Sequence, residues 1–224
     1  MTWRPSQRCD ALPGPQAHEA TVDYRRWVSA SPSEAIPGAW PAILTWRAYD
    51  VARMESARVQ LSGNRIKAHG RIVAAATNAH PAFSASYDLV TDESGATKRL
   101  SMTVTLAERD RQLSIARDEE NMWLVTDYRG QSRGAFDGAL DVDILFSPFF
   151  NALPIRRTGV YKDRDTVTVP VVYVTLPEFA VNPASITYSA GSDGIKVHSP
   201  VAETTVTVDE NGFILDYPGL AARI

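Results

Sequence analysis

The sequence is poor in the residues and patterns that most readily reveal a function. It holds a single cysteine, Cys9. No intrachain disulfide can form, and the chain leans towards a reducing compartment. No window reaches the roughly 18 apolar residues that a membrane-spanning helix needs, so an integral membrane protein is not expected. The first ten residues mix Trp3, Arg4, Gln7 and Arg8 ahead of a proline-rich stretch, without the continuous apolar run of a secretory signal. These absences point to the cytoplasm. Positive charge is not in excess either: 23 Lys and Arg stand against 26 Asp and Glu, a formal net charge of −3. No broad basic field exists to draw in phosphate backbones, which argues against nucleic acid as a partner.

Catalytic and cofactor motifs are also missing. The chain has no G-x-S-x-G elbow, phosphate-binding glycine loop, G-x-G-x-x-G, H-E-x-x-H or C-x-x-C, so no enzyme class, cofactor or metal is indicated. His18, His69, His80 and His198 are scattered without ligand-like spacing.

What is present is organised in two parts. Residues 1–41 carry Pro5, Pro13, Pro15, Pro32 and Pro37, and read as an irregular arm with one short helix at about Gln16–Ser29. Trp3, Trp27 and Trp40 suggest that parts of this arm dock on the remainder. From residue 42 to 224 the apolar period becomes two. Ile66, Ala68, Gly70 and Ile72 alternate with Arg65, Lys67, His69 and Arg71; Phe83, Ala85, Tyr87 and Leu89 repeat the pattern, as do Leu100, Met102, Val104 and Leu106. Leu140, Val142, Ile144 and Phe146 continue it, and so do Phe213, Leu215 and Tyr217. Successive side chains on a strand point to opposite faces, so these are strands with one buried and one wet face, which favours an antiparallel meander. Asp92-Glu93-Ser94-Gly95 and Asp209-Glu210-Asn211-Gly212 read as hairpin turns with glycine at positive φ, and Asp118 to Asn121 as another. Ile66-Lys67-Ala68-His69 is echoed by Ile195-Lys196-Val197-His198, each ahead of an Asp-Glu-x-Gly turn. The echo hints at an internal duplication, and the pattern as a whole predicts an antiparallel all-β domain.

The densest polar cluster runs from Asp141 to Arg157. Asp141 and Asp143 should share one face of a strand, opposite Val142 and Ile144. Arg156 and Arg157, adjacent on extended backbone, should diverge, so that one meets the carboxylates and the other a second partner. Three readings fit: a salt-bridge network locking an Asn-Pro-rich loop, a polar anchor for a ligand headgroup, or a catalytic or metal-binding carboxylate pair. Tyr188 and Tyr217 lie in apolar alternation, with hydroxyls that need partners if buried.

Asp141-Val142-Asp143-Ile144, Ser147-Pro148, Asn151 and Leu153-Pro154-Ile155-Arg156-Arg157 resemble the hallmark block of a bacterial family known as putative glycolipid-binding proteins. Val208-Asp209, Gly212-Phe213 and Asp216 to Leu220 resemble its ending; Leu44 to Arg47 and Glu55 its opening strands; Val169 to Pro177 and Tyr188 its middle. The resemblance implies an all-β fold, an antiparallel roll or half-open barrel with two similar halves like that of bacterial lipoprotein carriers, with acyl chains held in an apolar hollow. Phe149-Phe150 is bulkier than expected there and would alter the pocket lip. The leading expectation is a non-enzymatic binder of a glycolipid or other acylated molecule, held through Asp141, Asp143, Asn151, Arg156, Arg157, Tyr188 and Tyr217. The alternatives are a protein-interaction module and a carboxylate-dependent hydrolase, with Glu178 as a possible second acid.

Overall fold

The computed structural model describes residues 40–163 and 165–224. The expected N-terminal helix and the docking of Trp3 and Trp27 lie outside them; Trp40 packs on Phe213 with ring centroids 5.3 Å apart. The chain runs β1 (Ala42–Ala48), β2 (Arg53–Ser62), β3 (Arg65–Ala74), β4 (Phe83–Thr91), β5 (Thr97–Thr105), β6 (Asp110–Arg117), β7 (Trp123–Asp127) and β8 (Gly130–Gly134). A 3-10 turn at Phe136–Gly138 leads into β9 (Asp141–Ile144), α1 (Pro148–Thr158) and α2 (Val160–Asp163). The chain then continues through β10 (Thr166–Val174), β11 (Val181–Ala190), β12 (Ile195–His198), β13 (Glu203–Val208), β14 (Ile214–Tyr217) and β15 (Ala221–Arg223).

All fifteen strands form one open sheet, from β8 back to β1, across to β15, and back to β9. Only β9 and β10 pair in parallel, because the helical crossover between them returns the chain to the same end. The period-two reading holds in β3, where Ile66, Ala68, Gly70 and Ile72 are buried and Arg65, Lys67, His69 and Arg71 exposed. It holds in β4 and β5 as well. His69 and His198 are exposed, beside Asp88 and Glu203.

The two halves repeat each other in detail. The echoed Ile-Lys segments are β3 and β12, and the next hairpin in each half closes on an Asp-Glu-x-Gly turn. Asp92 Oδ1 accepts the backbone N–H of Ser94 and Ala96, as Asp209 Oδ1 does for Asn211 and Phe213. Gly95 and Gly212 supply φ of 92° and 80°. The other oxygen of each aspartate takes an arginine from two strands further on: Arg117 at 2.6 Å for Asp92 and Arg223 at 2.6 Å for Asp209. Asp118, with Asn121 at φ 59°, repeats the device using Arg133.

The sheet curls around α1, and this departs from the sequence reading. Pro148 to Ile155 are all buried, so the Asn-Pro-rich segment is a helix enclosed on every side rather than a loop. Phe149 and Phe150 form no pocket lip. They are fully buried, with Phe149 stacked between Tyr87 and Phe213 at 5.9 and 6.2 Å. The helix occupies the space in which an acyl hollow was expected. It also covers the second face of β9, so Asp141 and Asp143 are buried along with Val142 and Ile144. At β14, Phe213 just before the strand and Tyr217 at its end are buried but Leu215 is exposed. The register slips at Thr207/Val208, and Ile214 takes the inward place.

Close packing on the helix depends on Gly70. A Cβ there would lie 2.2 Å from the Tyr87 ring. Gly70→Ala must displace that ring, and we expect a loss of about 1–3 kcal/mol in urea unfolding. A Tyr87→Phe background should recover little, because the clash is with ring carbon as well as hydroxyl.

Candidate functional site

At the N-terminal end of α1 the roll opens into a cleft of about 500 Å3, lined among others by Asp50, Val51, Arg53, Asp143, Phe146, Asn151, Tyr173, Val201, Glu203 and Tyr217. The volume is in the range of small-molecule sites. Three connections form its rim: β1–β2, β12–β13 and β14–β15. The floor is β9, the first turns of α1, and β10.

The floor is polar and incompletely satisfied. Asp143 pairs across the parallel ladder with Tyr173, and its Oδ1 accepts the Asn151 amide at a long 3.4 Å. Tyr188 donates to Asn151 Oδ1 at 3.2 Å. The Tyr173 hydroxyl is buried without a partner among the described residues, an expensive arrangement for a native structure. Asp143 makes no ion pair with any described residue, and burial, with Asp141 adding to it, pushes its pKa up to about 7. Burial first and Asp143 second push Tyr217 up to about 12.

A second carboxyl stands behind the lip. Glu55 is on the inward face of β2 and fully buried. It accepts hydrogen bonds from Tyr87 Oη at 2.8 Å, Ser147 Oγ at 2.6 Å and the Phe149 N–H at 3.3 Å. Helix α1 begins at Pro148, which has no N–H, so Glu55 satisfies the first free donor of the helix and sits at the positive end of its dipole. Burial still outweighs these bonds and lifts its pKa to about 7. Beside it, the Arg53 guanidinium lies 4.4 Å over the Phe146 ring. Phe146 itself holds φ at 77°, a conformation that costs energy for a residue with a Cβ.

The remaining expected residues lie at the other end of the helix. Arg156 and Arg157 occupy its last turn, not an extended segment. They do diverge. Arg157 clamps Asp141 Oδ2 with Nε at 3.0 Å and Nη2 at 2.6 Å, while Arg156 donates to the backbone carbonyls of Asn211 and Gly63. The seven residues therefore separate: Asp143, Asn151, Tyr188 and Tyr217 gather at the cleft end, and Asp141, Arg156 and Arg157 tie the hairpin turns at the far end. Glu178 does not line the cleft. Among the described residues no three His, Cys, Asp or Glu side chains assemble a metal site, and no helix is long and apolar enough to cross a membrane.

A sequence family described as "Putative glycolipid-binding" matches residues 43–223. The chain belongs to that family. Among solved structures it is similar to a DUF1089 family protein from Pseudomonas aeruginosa, with 26% identity and a TM-score of 0.63 over 80% of this chain and 95% of that one. No curated protein matches the chain. For this member of the family, sequence reasoning overlooked Arg53 and Tyr173, took Phe146 only for a strand residue, and singled out Glu55 only by resemblance. A signal was available: Arg53 and Glu55 fall in the apolar phase of β2, ahead of Ala57 and Val59, where two charges have no place unless they are partnered inside.

Proposed function

We propose that the cleft binds the hydroxyl-rich headgroup of a neutral glycolipid, without chemical conversion. The observation that carries this reading is the unneutralised Asp143 carboxyl beside the unpartnered Tyr173 hydroxyl at the cleft floor. A carboxylate accepts two or more hydroxyl donors, and the tyrosine and asparagine groups can donate or accept in turn, as a sugar requires. Above about pH 7, where Asp143 is ionised, a phosphate headgroup at the cleft floor would meet it as a like charge, which disfavours it there despite Arg53 at the rim. The acyl part has no place inside the roll, because α1 fills it, and leaves through the mouth past Val51 and Val201. The family name agrees with this reading.

The test is a titration of the purified protein with two amphiphiles of equal chain length, one sugar-headed and one phosphate-headed, followed by calorimetry. The sugar-headed compound should bind at least about tenfold more tightly, and Asp143→Ala should remove about 1–3 kcal/mol of that binding. Equal affinity for both, or binding indifferent to Asp143→Ala, would sink the proposal.

One observation favours a second reading. Glu203 lines the same cleft, and its hydrogen bond and charge interaction with Lys196 hold its pKa below the usual range, whereas Asp143 is raised. Two carboxyls pushed apart in this way can serve as acid and base for hydrolysis. Release of a chromogenic leaving group from a glycoside, abolished by Asp143→Asn, would establish that reading in place of the first.

A further inference from the structure

Outside the roll, next to the cleft mouth, the sheet carries an apolar trough of about 520 Å3 lined by Arg47, Tyr49, Val51, Met54, Val73 and Ile224, among others. The strand register builds it. Arg47 on β1 pairs with Met54 on β2, and Met54 pairs with Val73 on β3, so the three stand side by side on the outer face. The next row along the same strands is Thr45, Ser56, Arg71 and Ser86, and the polar residues there show what this face ordinarily presents to water. The apolar residues are well exposed: Tyr49 51%, Met54 44%, Val73 52% and Ile224 64%. A cluster of exposed apolar side chains on an otherwise polar sheet face marks an interaction surface.

The charges beside the trough indicate the partner. Arg47 borders it, with Arg71 and Arg58 in the following rows of the same face, and all three are exposed and make no ion pair with any described residue. The acids on the same face, Asp216 two strands from Arg47 and Asp88 two strands from Arg58, are held by Tyr49 and His69, so the arginines are the charges left free beside the trough. Apolar side chains flanked by unpaired arginines suit the boundary between acyl chains and anionic headgroups.

We propose that this trough seats the protein on the surface of an anionic lipid bilayer. Met54, Val73 and Tyr49 enter the headgroup–acyl boundary while Arg47, Arg58 and Arg71 meet lipid phosphates. Val51 and Arg53 line both the trough and the cleft, so docking brings the cleft mouth to the membrane. The inference does not require the cleft to hold a glycolipid headgroup.

Flotation of the full chain with vesicles tests it. The protein should float with vesicles of phosphatidylcholine and phosphatidylglycerol and remain at the bottom with phosphatidylcholine alone. Met54→Glu with Val73→Glu should cut the bound fraction about tenfold or more, and removing Arg47 and Arg71 should weaken binding about fivefold for each charge and reduce its salt sensitivity. Met54→Ser with Val73→Ser, a milder exposed change, must lose binding in the same direction while keeping the wild-type circular dichroism spectrum. Absence of flotation with anionic vesicles, or flotation equal for wild type and both double variants, overturns the proposal. So does a dimer in sedimentation velocity that these variants dissociate, since the trough would then belong to a second copy of the chain.

Discussion

Unfolding free energy is expected to fall by several kcal/mol as the pH rises from about 5 to about 8, measured by urea denaturation at fixed ionic strength. Glu55 and Asp143 are both buried, and burial lifts each to about 7 from ordinary values of 4.5 and 3.8. The folded-state pKa is above the unfolded one in each case, so between the two values the folded chain holds protons that the unfolded chain has released. Stability then declines with pH across that window, and the decline is complete above about 7. At roughly 1.4 kcal/mol per unit, each group contributes a few kcal/mol at most. Carboxylates nearer the solvent act in the other direction and lower down: the half-buried Asp92 and the exposed Asp118 and Glu203 are held below their ordinary range by hydrogen bonds and arginine or lysine partners, and their contribution is lost only in acid. The optimum should therefore fall near pH 4, about where the unfolded carboxyls titrate. Asp143→Asn, which keeps the Asn151 contact, should flatten the profile by about half, and Glu55→Gln by a similar share. A wild-type profile that is level or rises between pH 5 and 8 would show that neither carboxyl carries the raised pKa.

The strands were readable because one buried face imposes period two, and β3, β4 and β5 follow it residue by residue. The repeat was readable from two turns, although the arginine that completes each, Arg117 or Arg223, lies too far along the chain to be associated from spacing. Helix α1 was not readable from periodicity. It is buried on all sides from Pro148 to Ile155, so no polar stripe marks its turns, and Pro154 within it argues against a helix. Punctuation did mark its ends: Pro148 at the first turn and Gly159, at φ 72°, just past the last, follow the usual asymmetry of helix termini. Missing the helix put seven polar residues in one place that the fold divides between two ends of α1. On a strand Asp141 and Asp143 share a face, and one arginine of an extended Arg156-Arg157 could meet both carboxylates while the other turned to a second partner. The helix gives each aspartate its own partner, Asn151 near its beginning and Arg157 at its end.

Arg157→Ala is expected to cost about 3–5 kcal/mol in urea unfolding, because it strands a charge in the interior. Asp141 has no exposed surface, and its Oδ1 has no partner among the described residues. Burial raises its pKa even with the two Arg157 bonds pulling the other way. Arg156→Ala should be milder, about 1–2 kcal/mol, since it leaves only backbone carbonyls unpaired and removes a guanidinium lying 4.9 Å over Phe213. Replacing both members of the buried pair, Asp141→Asn with Arg157→Met, should regain most of the loss, as the charge and its partner disappear together. Headgroup affinity at the cleft should survive Arg157→Ala under conditions where the variant is folded. The eleven residues of α1 place its two ends about 16 Å apart, so a group that acts at one end has no direct reach to the other. Near wild-type stability combined with lost binding would reverse this assignment, and would make Arg157 a ligand anchor rather than a lock on the hairpin turns.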